Sequence, residues 1–173
     1  LRPAAQQALD QQPDRCERGA QLVRDVGDEV AAGPAEPLQL VCEQGHCRLG
    51  ILTDIGAPTA DTVRALQGCD ALLLECNHDR EMLAQGPYPA WLKRRIGGAR
   101  GHLANDQATE VLDACRHGGL RHVVAAHLSR HNNRPELALS SLRRALASGW
   151  GGGSSPSLHV ADGDHGCDWI EAG

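Results

Sequence analysis

The sequence predicts an α/β fold, and three features predict it. Short apolar runs of strand character alternate with stretches of helical periodicity. Gly and Pro punctuate the junctions between them. Three of the apolar runs end in polar clusters that carry Asp or His, at Asp54, at Asn77-His78-Asp79 and at His127. In α/β sheets the C-terminal ends of strands, with the adjoining helix N-termini, are where ligands bind.

Residues 1–36 give little periodicity beyond a short helix over residues 3–12 that Pro13 and Asp14 end. Leu38–Glu43 and Cys47–Thr53 alternate as strands, and Gln44-Gly45-His46 between them predicts a β-hairpin. Asp54 then stands at a strand end, with Gly56 allowing a tight exit. Pro58 and Thr59 open a helix that runs through Leu66 and stops at Gly68. Ala71–Glu75 reads as a buried strand, Glu81–Gln85 as a short helix, and Ala90–Ile96 as a basic helix. Gly97–Gly101 leads into His102. Asn105 or Asp106 then caps a helix over Gln107–His117, with Ala108, Val111, Leu112 and Cys115 on one face. His122–Ala126 is a short apolar strand. Pro135–Ser148 is an amphipathic helix with Leu137, Leu139, Leu142 and Leu146 as its apolar positions, and Ser157–Ala161 is a last strand.

Composition narrows the function. The chain has 173 residues, enough for one domain or part of one, and with no Phe its core rests on Leu, Val, Ile and Ala. A net charge of −5 argues against a surface built for broad nucleic-acid binding, although Lys93, Arg94, Arg95 and Arg100 form a local basic cluster. No apolar run approaches a membrane span and no secretory signal is visible. Seven cysteines without a CxxC pair argue against a zinc ribbon or a full disulfide framework, and for reduced thiols in a cytoplasmic protein. The chain begins at Leu1 rather than Met, which suggests that sequence upstream is missing.

Asp and neutral His are ligands that suit Zn²⁺ or Mn²⁺. Taken singly, each is more simply a turn aspartate or a loop histidine. Their repeated placement at strand ends is what points to a site. His159 and His165, near the C-terminus, read as structural or surface residues.

Five blocks carry a resemblance: RLGILTDIG, CDALLLECNHDREML, GPYPAWLKRRI, GHLANDQA and HVVAAHLSRHNNRPELA, in order over residues 48–139, with the tail LHVADGDHGCDWIE in addition. They resemble the C-terminal half of a metallo-β-lactamase-fold hydrolase, specifically the bacterial WalJ/YycJ group, relatives of ribonuclease Z. The resemblance implies a partial αββα sandwich, with residues 37–173 as the C-terminal half and 1–36 as a remnant of the N-terminal half. It implies a site for two divalent metal ions, Zn or Mn, acting on nucleic acid or another phosphodiester. Asp54 falls on the bridging aspartate and His127 on the last metal-binding histidine. His102 falls on a histidine near the scissile phosphate, a catalytic proton donor or phosphate contact. Asn77, His78 and Asp79 match a group motif beside the site, in a supporting or substrate-binding role. Oligomeric state is not legible.

The chain also departs from the group. The His-x-His-x-Asp-His run of the N-terminal half is absent, and Ala31–Pro34 occupies the place of a Pro-His-Asp segment. Only Asp54 and His127 remain of the expected ligands, whereas even a single structural zinc normally takes four. Three readings follow. The first is part of a metal-dependent phosphodiesterase or nuclease, inactive alone. The second is a degenerate metal-free binding or scaffold domain. The third is an unrelated doubly wound protein that binds a small anion, and the lack of a Gly-rich phosphate loop counts against it.

Overall fold

The computed structural model describes residues 38–147, 154–163 and 166–171. The helix read over residues 3–12, the N-terminal remnant over 1–36 and His165 lie outside the described residues.

Five strands form one sheet in chain order, β1-β2-β3-β4-β5. β1 (Leu38–Gln44) and β2 (Cys47–Thr53) pair antiparallel as the predicted hairpin, with Gln44 opposite Cys47. Gly45 supplies the turn's left-handed residue at φ 60°. β3 (Ala71–Glu75), β4 (His122–Ala126) and β5 (Ser157–Val160) then add in parallel. Helices occupy the crossovers: α1 (Ala60–Leu66), α2 (Arg80–Gln85), α3 (Ala90–Ile96), α4 (Asn105–Ala114) and α5 (Pro135–Ala147). Thr59 caps α1 by accepting from the Thr62 amide, and Asp79 caps α2 by accepting from the Glu81 and Met82 amides.

The pleat sorts the strand side chains between two faces. Leu52, Leu72, Leu74, Val123 and Ala125 meet Leu66 of α1, Val111 and Leu112 of α4, and Ala138 and Leu142 of α5 in the main core. Gly50 lets α1 approach the sheet, since a Cβ there would press on Leu66 and Leu72. The opposite face carries a smaller apolar set, Leu73, Val124 and Ala126, joined by Ala161 and Ile170. The described helices that enter the core therefore lie on one side of the sheet, as one β layer and one α layer of an αββα sandwich would place them.

Two elements differ from the sequence reading. α4 starts at Asn105 rather than Gln107, and neither Asn105 nor Asp106 caps it. Asn105 is buried and exchanges two hydrogen bonds with the Asn133 amide, at 2.9 and 2.8 Å, while Gln107 Oε1 accepts from the Ala104 amide. On α5 the buried face is Ala138, Ser141, Leu142 and Ala145, and Leu137 is exposed. The close approach of α4, where Thr109 bonds Ser141 at 3.1 Å, favours small residues over leucines at this contact.

At the N-terminal edge of the sheet, Asp70 accepts from the Arg48 amide at 2.8 Å and from the Arg121 guanidinium at 3.0 Å, tying β2 to β4 across the start of β3. The Arg48 amide bond first, and then Arg121, hold its carboxyl below the usual aspartate value. A pKa lower in the folded than in the unfolded chain contributes stability above the unfolded value, and that contribution is lost as pH falls through the folded value. Asp70→Asn should therefore cost about 1 kcal/mol at neutral pH and flatten the acid limb of stability. Urea unfolding from pH 7 downward checks it; parallel curves for the two proteins would contradict it.

Candidate metal centre

Because β2, β3 and β4 are adjacent and parallel, their C-terminal ends bring Asp54, Glu75 and His127 side by side. His102 arrives from the segment between α3 and α4. Ligand atoms from these four residues all lie within 4.8 Å of one another. Asp54 and His127 share a backbone feature: φ is 59° at the first and 56° at the second, the positive values among described non-glycine residues. Asp and His tolerate this left-handed region better than most side chains, yet it costs on the order of 1 kcal/mol or more, and such residues cluster at functional sites.

Glu75 is fully buried and is the hub. Its Oε1 accepts from Nδ1 of His102 at 2.7 Å and from Nδ1 of His127 at 2.9 Å. Its Oε2 accepts from the amides of Ile55 at 3.1 Å and Leu103 at 3.2 Å. An imidazole nitrogen bonds a carboxylate only as N–H, so both rings carry a proton on Nδ1, and Nε2 is the nitrogen Glu75 does not engage. Asp54 Oδ1 lies 3.5 Å from His102 Nδ1 and 3.7 Å from His127 Nδ1. The Thr53 hydroxyl sits 3.0 Å from His127 Nδ1 and donates to Asp54 Oδ2 at 3.3 Å. The two histidine rings meet edge to face with centroids 5.2 Å apart.

Burial alone would raise the Glu75 carboxyl. The hydrogen bonds from His102 and His127 outweigh it and hold the group below the usual glutamate value. At His127 burial works to lower the imidazole, and the Glu75 bond together with the fields of Glu75 and Asp54 raises it above its ordinary value.

The donor chemistry fits a divalent ion. Carboxylate oxygen and imidazole nitrogen suit Zn²⁺ and Mn²⁺, and a metal-binding imidazole commonly donates its other N–H to a carboxylate. Glu75, with four N–H groups on its two oxygens, acts as that orienting carboxylate. Asp54 and Nε2 of His127 and His102 are the donor atoms of the cluster that Glu75 does not engage.

The Asn77-His78-Asp79 cluster sits directly behind this edge. Asn77 donates to the His127 carbonyl at 3.1 Å, and its own carbonyl accepts from the Ser129 amide. The His78 backbone bridges to Ala104 and Asn105, beside His102. Its ring is fully buried with no hydrogen-bond partner on either nitrogen among the described residues, and burial pushes its pKa down to about 4. Asp79 carries its carboxylate away to cap α2. Sequence reasoning missed Glu75 and Thr53. The signal for Glu75 was present: a carboxylate closing an otherwise apolar strand, ALLLE, one strand over from Asp54.

The exodeoxyribonuclease YycJ of Bacillus anthracis is 34% identical to this chain over 134 residues, covering 77% of this chain and 51% of its own length. The exodeoxyribonuclease WalJ of Streptococcus pneumoniae serotype 2 is 34% identical over 97 residues, covering 56% of this chain and 36% of its own length. The chain is thus similar to the YycJ and WalJ exodeoxyribonucleases over 77% and 56% of its own length. It spans about half the length, or less, of the curated YycJ and WalJ proteins it matches. The sheet of β1–β5 with helices packed on it is the α/β class expected from the sequence. The metallo-β-lactamase fold protein YhfI of Bacillus subtilis matches at 14% identity and a TM-score of 0.47, over 76% of this chain and 52% of that one. No protein-family model matches.

Proposed function

We propose that residues 37–173 are the C-terminal half of a metal-dependent phosphodiesterase that acts on DNA. The observation that carries this reading is the cluster of Asp54, Glu75, His102 and His127 at adjoining strand ends. Asp54 and His127 would hold a divalent ion, zinc or manganese. Bound at this edge, such an ion supplies positive charge to the phosphate oxygens and lowers the pKa of water. His102 gives its Nδ1 proton to Glu75, which leaves Nε2 as the nitrogen that can carry a proton to a substrate. His102 thus delivers a proton to the leaving oxygen. Asn77 fixes the His127 backbone, and Thr53 orients Asp54. The free thiols among the described residues fit a cytoplasmic location, and no described helix is long and apolar enough to cross a membrane.

The second reading, a metal-free binding or scaffold domain, draws on ligand count: Asp54, His102 and His127 are too few for two ions. Calorimetry with Mn²⁺ and Zn²⁺ separates the two. This chain should bind one ion weakly, lose it in Asp54→Ala, and turn over a phosphodiester reporter poorly or not at all. A chain extended N-terminally to the length of its relatives should degrade linear DNA and stop on chelation. Two tightly bound ions in the present chain would overturn the ligand count. An extended chain indifferent to metal would leave the scaffold reading.

A further inference from the structure

The surface beside the site has its own chemistry. Between Ala90 and Gly101 lie Lys93, Arg94, Arg95 and Arg100 and no acidic residue, in a chain of net charge −5. On α3, Leu92, Lys93 and Ile96 are half-buried, whereas Trp91, Arg94 and Arg95 are exposed and share one face at i, i+3 and i+4. Lys93 is drawn away to the Ala84 carbonyl at 2.6 Å. A helix C-terminus favours cations, which accounts for charge at positions 93–95. It accounts neither for Arg100 beyond the helix nor for an indole left 60% exposed at Trp91. Neither Arg94 nor Arg100 makes an ion pair among the described residues.

This segment runs straight into the site. The His102 amide donates to the Ile96 carbonyl and the Gly101 amide to the Gly98 carbonyl, each at 2.8 Å. A Cβ on Gly56 would collide with the backbone of Gly98, Ala99 and Gly101, so the turn after α3 lies against the loop that follows Asp54. The helix that carries the basic, aromatic face is thus joined through a short turn to His102 and to the loop after Asp54.

We propose that the outward face of α3 docks single-stranded nucleic acid and leads it to the strand-end cluster, with Trp91 stacking on a base and Arg94 and Arg100 pairing with phosphates. The inference rests on the phosphodiesterase reading and names how its substrate is held. An exposed indole beside guanidinium groups matches the pairing of stacking platform and positive track that single strands use, and a base must be unpaired to offer its face.

The test is fluorescence anisotropy of the full chain with a labelled thymidine oligonucleotide and with an abasic oligonucleotide of the same length, in chelator so that no cleavage intervenes. Trp91→Ala should weaken binding of the thymidine oligonucleotide about tenfold and leave the abasic one unchanged, and Trp91→Phe should recover part of the loss. Replacing Arg94 and Arg100 with Ala should reduce the slope of log affinity against log salt by about 0.7 for each contact. No binding by the unaltered chain, unchanged binding by Trp91→Ala, or equal weakening for both oligonucleotides would overturn the proposal. Binding through Trp91 by a chain whose extended form never cleaves DNA would sustain the docking face and remove the hydrolase reading.

Discussion

Glu75→Ala should cost about 3–5 kcal/mol of folding stability, the range for removing one partner of a buried charged network. The carboxylate is fully buried and takes four N–H donors, two from imidazoles and two from the backbone amides of Ile55 and Leu103. Alanine leaves all of them facing a cavity at the point where the ends of β2, β3 and β4 and the His102 segment meet. Glu75→Gln should be milder and diagnostic. Its amide can still accept with one atom, and its NH₂ can donate to an imidazole Nδ1 only if that ring moves its proton to Nε2. The swap therefore preserves the fold while blocking the nitrogen needed for metal. Urea unfolding reads the first effect and metal titration the second. A Glu75→Ala protein within about 1 kcal/mol of the parent would show that the cluster does not hold the strand ends together.

The elements from β1 to α3 were legible because local signals agree there with the final environment. Gly45 sits where a left-handed turn is required, Thr59 caps α1, and Ala71–Leu74 is apolar because the strand is buried or half-buried along its length. The start of α4 was misread because Asn105 is an excellent cap in isolation and only its tertiary partner, Asn133, diverts its side chain. The buried face of α5 was misread for a similar reason. Leucines signal burial on their own, but the contact with α4 is closed by Ala138, Ser141 and Ala145. At the site, Asp54, His102 and His127 were visible as polar residues at strand and loop ends. Glu75 was hidden by belonging to the strand itself, and Thr53 by being an ordinary strand residue. What no periodicity carries is the convergence: three strand ends and a loop meet only because β2, β3 and β4 are neighbours and parallel.

In a chain extended to the length of its relatives, His102 and His127 should fail in different ways when replaced by alanine. His127→Ala should lower metal occupancy, with activity falling as a consequence. His102→Ala should leave metal content nearly intact and reduce kcat by about 10²–10⁴-fold, the usual contribution of a positioned proton donor. Both rings give their Nδ1 proton to the same Glu75 oxygen, so hydrogen bonding alone does not separate them. Backbone does. His127 directly follows β4 in a left-handed conformation, has the Thr53 hydroxyl 3.0 Å from its Nδ1, and has its carbonyl pinned by Asn77, a rigid support suited to a ligand. His102 comes from the turn between α3 and α4 and remains more exposed, 24% against 16% for the side chains, on the side where the basic face of α3 ends. Its burial is lower where a substrate must reach it. Metal content measured alongside kcat and KM decides the assignment. If His102→Ala emptied the metal site as fully as His127→Ala, the two roles would collapse into one. If neither variant changed turnover, the strand-end cluster would not be the site of chemistry.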